Sequence, residues 1–428
     1  MQDGTQSWAT ACGCVLGLVC LWGCSGGKSN DGSSSSDSPS ASPSRQSEKS
    51  PASSAKSRQL PTTAIPAKTS QKKPLVTAEP PKKGTPQWLI HQMLLLRFEK
   101  IPQTDDVAKL RQIRRDRNLK IVLLAEESIA MTHKDPKLVE VFNAAVHQLL
   151  VSRVSIAMQG KEEDVLKLYD LAELFYKRDK KSKAAAEAAY QVATFANRNA
   201  LRFPDPQAGW LTEFTRQARL FASRFPQEQA RSVRLLDAAG RSCEFHGKTA
   251  DAIRCYQQLQ LQYPKLVQAQ RATAVLRRLQ LLGKRLELKG PTIDGGFIDI
   301  EDYRSKVVLV VFWSTGRKGF EQVQAKLNAV AKKYPKNRFT IIGVNLDAEE
   351  PAVDAYLEKT DLQWPQIFYS DRNKRRWNNL LAKHYAIRRI PTLWLVDQQG
   401  VVADLDVNPD RLDQQVRRLL TRRTASRP

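Results

Sequence analysis

Cysteine runs out early in this chain. Cys12, Cys14, Cys20 and Cys24 crowd the amino terminus, and after Cys243 and Cys255 there is none as far as Pro428. That absence excludes a thiol nucleophile, a CxxC pair or a cysteine metal site anywhere beyond Tyr256. Histidine is almost as scarce there: from residue 285 onward His384 stands alone, better suited to a surface or cap position than to a metal set or a Ser/His/Asp relay. Zinc-finger spacing, a P-loop and the dinucleotide glycine fingerprint are all missing. No metal and no cofactor is therefore expected. Long apolar runs are lacking too, since Ala9 to Gly23 is too short to span a bilayer comfortably. Acidic residues are in deficit, with Asp+Glu 44 against Lys+Arg 68 and a net charge of +24. Such a balance favours anionic surfaces. The basic residues are spread out and form no long run, so a solvated surface is expected and a nucleic-acid site is not.

The small-residue apolar stretch Ala9–Gly23, followed by Ser25-Gly26-Gly27, reads as the h-region of an export signal. Leu21-Trp22-Gly23-Cys24 resembles a bacterial lipobox, although Trp22 is bulky for it and Asp3 replaces the usual basic n-region. The resemblance implies acylation of Cys24 and a lipid anchor on the periplasmic side of the cell envelope, with Ser25 pointing to the outer membrane. Residues 1–24 then form the signal. Residues 25–86 are Ser-rich, then Pro/Lys/Thr-rich, with almost nothing apolar to bury, and read as a disordered linker.

From 87 to 284 the apolar period is helical, through steps such as Leu89, Met93, Leu96 and Val141, Ala145, Leu149. Breaks come at Pro136, Gly160, Lys180 to Ser182, Pro204 to Pro206, Pro226 and Pro264. Short connections make neighbours antiparallel, giving an α-helical repeat or bundle. Gly240, Cys243, Gly247, Ala252, Tyr256, Leu259 and Pro264 have spacings similar to a tetratricopeptide unit, with small residues for close contact and the aromatic filling the seam. Cys243 and Cys255 lie on its two helices. They are a candidate disulfide pair in an oxidising compartment, or, the reading favoured here, two small core residues that nothing activates.

The period changes over 285–422, leaving a short tail at 423–428. A hairpin is expected at Leu286 to Ile300, and strands at Val307–Phe312, Phe339–Asn345, Trp364–Phe368, Thr392–Val396 and Val401–Val407. Helices are expected over Phe320–Tyr334, Val353–Glu358, Asn378–Tyr385 and Pro409–Leu420. Strands alternating with helices, closed by a hairpin and a helix, make an α/β domain with a mixed sheet covered on both faces.

Its centre is Phe312-Trp313-Ser314-Thr315-Gly316-Arg317-Lys318-Gly319-Phe320. The segment resembles the F-W-[AS]-T-W-C-x-P-C entry of TlpA/ResA-like thioredoxin-fold thiol–disulfide oxidoreductases, related to the AhpC/TSA peroxiredoxins. Tyr303-Arg304-Ser305-Lys306, Gly343-Val344-Asn345-Leu346-Asp347 and Tyr385 to Thr392 extend the resemblance. It implies that Pro391 is cis, and that Trp313, Gly316, Ile390 and Pro391 surround a groove where backbone groups pair with an extended peptide. It also places Arg317 and Phe320 at the two cysteine positions. The family's exchange reaction needs a thiolate at the helix N-terminus and a second thiol one turn on, and neither replacement supplies one. Arginine at a helix N-terminus is electrostatically the wrong sign, so it should face solvent or an acidic partner. The function implied is a redox-inactive binding or scaffold module with an unidentified protein or peptide partner. The alternative, from the family label alone, is a thiol–disulfide oxidoreductase or peroxiredoxin relative.

Overall fold

The computed structural model describes residues 81–205, 209–360 and 362–421. The export signal, Cys24 and most of the linker lie outside the described residues. Structure begins inside the stretch assigned to the linker, because Thr85 and Pro86 start a helix. Thr85 Oγ1 accepts from Trp88 N at 3.3 Å, and Pro86 occupies the first turn, where a missing N–H costs nothing. That opens α1 (Pro86–Phe98). Next come α2 (Val107–Thr132), α3 (Val139–Ala157), α4 (Glu162–Arg178) and α5 (Lys183–Arg202). The series continues with α6 (Trp210–Arg224), α7 (Gln229–Phe245), α8 (Thr249–Gln262) and α9 (Val267–Leu279). Starts are marked by side chains: Asp106 accepts from two backbone N–H groups of α2, and Ser182 from Ala185 N of α5.

Each helix packs on the next, and one apolar core runs from Leu89 to Leu276. The α7–α8 seam shows how closely. A Cβ on Gly240 would lie 2.7 Å from Cζ of Tyr256, so only glycine lets that ring sit across the helix. Cys243 and Cys255 face the same interior as free thiols, so the candidate disulfide is not formed. Cys243 Sγ instead lies 3.2 Å from Thr215 Oγ1 on α6.

After α9 the chain forms β1 (Lys289–Pro291) and β2 (Phe297–Asp299), an antiparallel pair, with Leu286 and Leu288 buried ahead of it. A five-stranded sheet follows, in the order β5-β4-β3-β6-β7. Its strands are β3 (Val307–Trp313), β4 (Phe339–Asn345), β5 (Gln366–Ile367), β6 (Thr392–Val396) and β7 (Val402–Asp404). β3 runs parallel to β4 and antiparallel to β6. Both faces are covered. Val308, Val310 and Phe312 enter one apolar layer, and Val307, Leu309, Val311 and Trp313 the other, which is why β3 reads as an unbroken apolar run. Covering helices are α10 (Phe320–Ala331), α11 (Glu350–Lys359), α12 (Leu380–His384) and α13 (Leu412–Thr421). The helix expected at Val353–Glu358 runs longer, over Glu350–Lys359, while those expected at Phe320–Tyr334 and Asn378–Tyr385 end sooner. The last helix opens with a separate 3-10 turn at Pro409–Arg411.

Candidate functional site

β3 and β6 bring the two halves of the site to one end of the sheet's central strands. Phe312 pairs with Thr392, so the turn after Trp313 emerges beside the residues that precede Thr392. There the Ile390–Pro391 peptide is cis. The turn is tied down at its start. Thr315 donates its N–H to Asp347 Oδ2 at 2.9 Å and its hydroxyl to Oδ1 at 2.9 Å. Asn345 Nδ2 holds the same carboxylate at 2.7 Å. Gly319 has φ of +83°, the left-handed conformation that glycine tolerates, and leads into α10 without a side-chain cap. Gly316 to Gly319 are exposed. Among the described residues, no ion pair or hydrogen bond engages the side chain of Arg317 or Lys318.

Phe320 turns the other way. It is 1 % exposed, and its ring stacks on Trp313 with centroids 4.8 Å apart and planes 14° apart. Trp313 is fully covered; its Nε1 donates to Gln366 Oε1 at 2.9 Å. This corrects the expectation that Trp313 lines the groove. Side-chain alternation along β3 sends it to the α10 side of the sheet, inside the core. What faces solvent at this end of the sheet is Gly316, Arg317 and Lys318, with Ile390 and Pro391 half-buried. Gln366 was not singled out by the sequence. It lies against Gly343, where an added Cβ would fall 1.8 Å from its Oε1. Asp347 stood in a recognised motif, but its bonds to the turn needed the fold to be visible.

The remaining candidates are elsewhere. Burial pushes the Cys255 thiol up to about 12, and burial raises Cys243 as well, against the Thr215 hydrogen bond. Neither is a thiolate at neutral pH. His384 ends α12, half-buried, and burial with the nearby Arg277 charge holds its imidazole below the usual range. Among the described residues, no group of three or more His, Cys, Asp or Glu could hold a metal ion.

The loop before the cis-proline is also fastened to the helices. Arg277 Nη1 donates to His384 O at 2.6 Å, and Arg278 Nε to Tyr385 O at 3.1 Å. Glu244 of α7 gathers the Arg278 guanidinium, the Tyr256 hydroxyl at 2.6 Å and Arg388 at 3.5 Å. Nothing in the local pattern signals this network, because its members are more than a hundred residues apart at the extremes.

Residues 305–402 match the Thioredoxin-like family. A thiol-disulfide oxidoreductase ResA of Bacillus cereus is 25% identical over 122 residues, covering 28% of this chain and 66% of that protein. The thioredoxin-like protein YneN of Bacillus subtilis is 26% identical over 119 residues, covering 27% and 65%. The chain thus spans less than two thirds of the length of these curated relatives. Among solved structures, a thiol-disulfide oxidoreductase from Bacteroides fragilis aligns with 23% identity and a TM-score of 0.29, over 32% of this chain and 98% of that one. The C-terminal part of this chain is a thioredoxin-like domain, related to ResA/TlpA-type thiol-disulfide oxidoreductases and preceded by a mostly helical region.

Proposed function

We propose that this is an exported envelope protein, anchored through a lipid on Cys24, whose thioredoxin-like domain binds an extended peptide or protein segment without thiol exchange. The observation that carries the reading is Phe320: at the position of the family's second cysteine stands a ring stacked in the core. Exchange needs one sulfur to attack and a second to release the mixed disulfide, and residues 256–428 contain no cysteine. The exposed turn and loop beside the cis Ile390–Pro391 bond are what remains for binding. Backbone pairing there supplies affinity without side-chain chemistry. Arg317 and Lys318 favour an acidic segment, each exposed charge contact adding about 0.2–1 kcal/mol. The helical region, tetratricopeptide-like around α7 and α8, offers a second protein-binding surface.

The competing reading, a thiol-disulfide oxidoreductase, comes from the names of the relatives. It would have to draw on Cys243 and Cys255, whose burial argues against it. The purified protein should not reduce insulin disulfides above a buffer control. Turnover that vanishes in C243A/C255A would move the chemistry into the helices and sink the binding-only reading. R317E/K318E should recover less partner from envelope extracts with thermal stability nearly unchanged; equal recovery would remove the groove. For the anchor, C24A should take up no fatty-acid analogue, and persistent labelling would count against lipidation.

A further inference from the structure

Helices α1, α2 and α5 meet the end of α3 around an open cavity of about 460 Å³. Arg97, Arg111, Arg114, Arg117, Arg198 and Arg202 line it, and no aspartate or glutamate does. Several other arginines of the helical region face a carboxylate: Arg115 pairs with Asp164 at 2.7 Å, Arg153 with Glu126 at 2.9 Å, and Arg231 with Glu187 at 2.8 Å. Three of the six are held by neutral oxygens. Arg97 donates to Gln148 Oε1 at 2.8 Å and Ser152 Oγ at 3.0 Å, Arg117 to Glu99 O at 2.9 Å, and Arg202 to Met158 O at 3.0 Å. Those bonds orient guanidinium groups without neutralising them. Arg111, Arg114 and Arg198 have no side-chain partner among the described residues.

Spacing makes the crowding unavoidable. Arg111, Arg114 and Arg117 follow one another at i, i+3 on α2, and Arg198 and Arg202 at i, i+4 on α5, so each set shares a helix face and repels itself. Burial and the like charge of Arg117 both penalise the Arg97 cation. Among the described residues, no carboxylate contact relieves this. A bound anion would.

We propose that this cavity binds a small anion carrying two or more phosphate groups. The planar guanidinium fork fits phosphate oxygens in pairs. Six such groups in a lining without an acidic residue exceed what one carboxylate could balance, and the volume suits a small molecule. Chemistry alone allows a soluble phosphate ester or a diphosphate lipid headgroup.

Sodium tripolyphosphate, titrated calorimetrically into the full chain at about 0.15 M salt, where long-range attraction is screened, tests the site. Saturable one-to-one binding is expected, with a rise in melting temperature because the ligand binds only the folded state. R114A/R198A, which gives up no internal bond, should weaken binding at least tenfold. K265A/R271A, an equal loss of exposed charge on another face, should leave it unchanged, as should R317E/K318E, so this site stands or falls apart from the groove. Absence of saturable binding, or equal weakening by K265A/R271A, would overturn the proposal in favour of diffuse attraction to a basic surface. Displacement of tripolyphosphate by cardiolipin vesicles would assign the ligand to a lipid headgroup, and binding untouched by vesicles to a soluble phosphate.

Discussion

Cys255 projects from α8 into a fully covered seam, and that burial pushes its thiol up to about 12. Cys243 lies in the same seam and is raised for the same reason. In the unfolded chain both thiols ionise near their ordinary value of about 8.5. Folding favours the protonated form, so its contribution to stability is full below that value. It is lost as pH rises from there toward about 12. The urea midpoint of the wild type should therefore fall between about pH 9 and pH 11, and C255A should show a shallower fall. Equal slopes would mean that the Cys255 thiol reaches solvent. Phe320 illustrates the same rule without charge. Its stack on Trp313 adds about 0.5–1.5 kcal/mol beyond area burial, so the position is a packing site.

At the scale of elements, α7 and α8 depend on a missing side chain. Alanine at position 240 would gain about 1 kcal/mol of helix propensity over glycine. Its methyl, however, would press on Tyr256, whose hydroxyl is held by Glu244, one turn along the same helix as Gly240, at 2.6 Å. Overpacking of this kind costs about 1–3 kcal/mol, so G240A should destabilise on balance. Equilibrium urea denaturation measures the sign, and a midpoint at or above wild type would show that the ring can swing aside. A related arrangement holds in the sheet, where Gly343 leaves room for the Gln366 amide that satisfies the Trp313 indole. In both places glycine lets a large side chain lie flat on backbone.

Across the whole molecule, Glu244 joins two units that are distant in sequence. It is the shared acceptor for Arg278, Tyr256 and Arg388, and Arg277 and Arg278 also hold the carbonyls of His384 and Tyr385. The segment leading to Ile390–Pro391 is thus braced by the helices. Glu244→Ala removes the common acceptor and leaves Arg278 and Arg388 facing each other without compensation. Amide hydrogen exchange over residues 384–390 should quicken at least about tenfold, because local opening then has to break only the Arg277 and Arg278 bonds to the loop carbonyls. Exchange in α1 to α5 should stay as it was. Unchanged protection in the loop would show that the sheet alone holds it.

Much of this architecture is legible from local signals. The helical period, its proline and glycine breaks, and the unbroken apolar run of β3 mark a helical region followed by an α/β domain, since each signal reports residues within a few positions of one another. The lack of cysteine after Cys255 is likewise a property of the sequence alone. Other features depend on contacts between distant residues. Strand alternation turned Trp313 away from the groove and under Phe320. The pairing of Phe312 with Thr392 set the turn beside the cis-proline, with Asp347 holding it, and left Arg317 and Lys318 in solvent. The free state of Cys243 and Cys255, the Glu244 network and the meeting of six arginines at one cavity also waited on the fold. Periodicity fixes which face of an element is apolar, but the neighbour that covers that face is chosen only when elements far apart in sequence pack together.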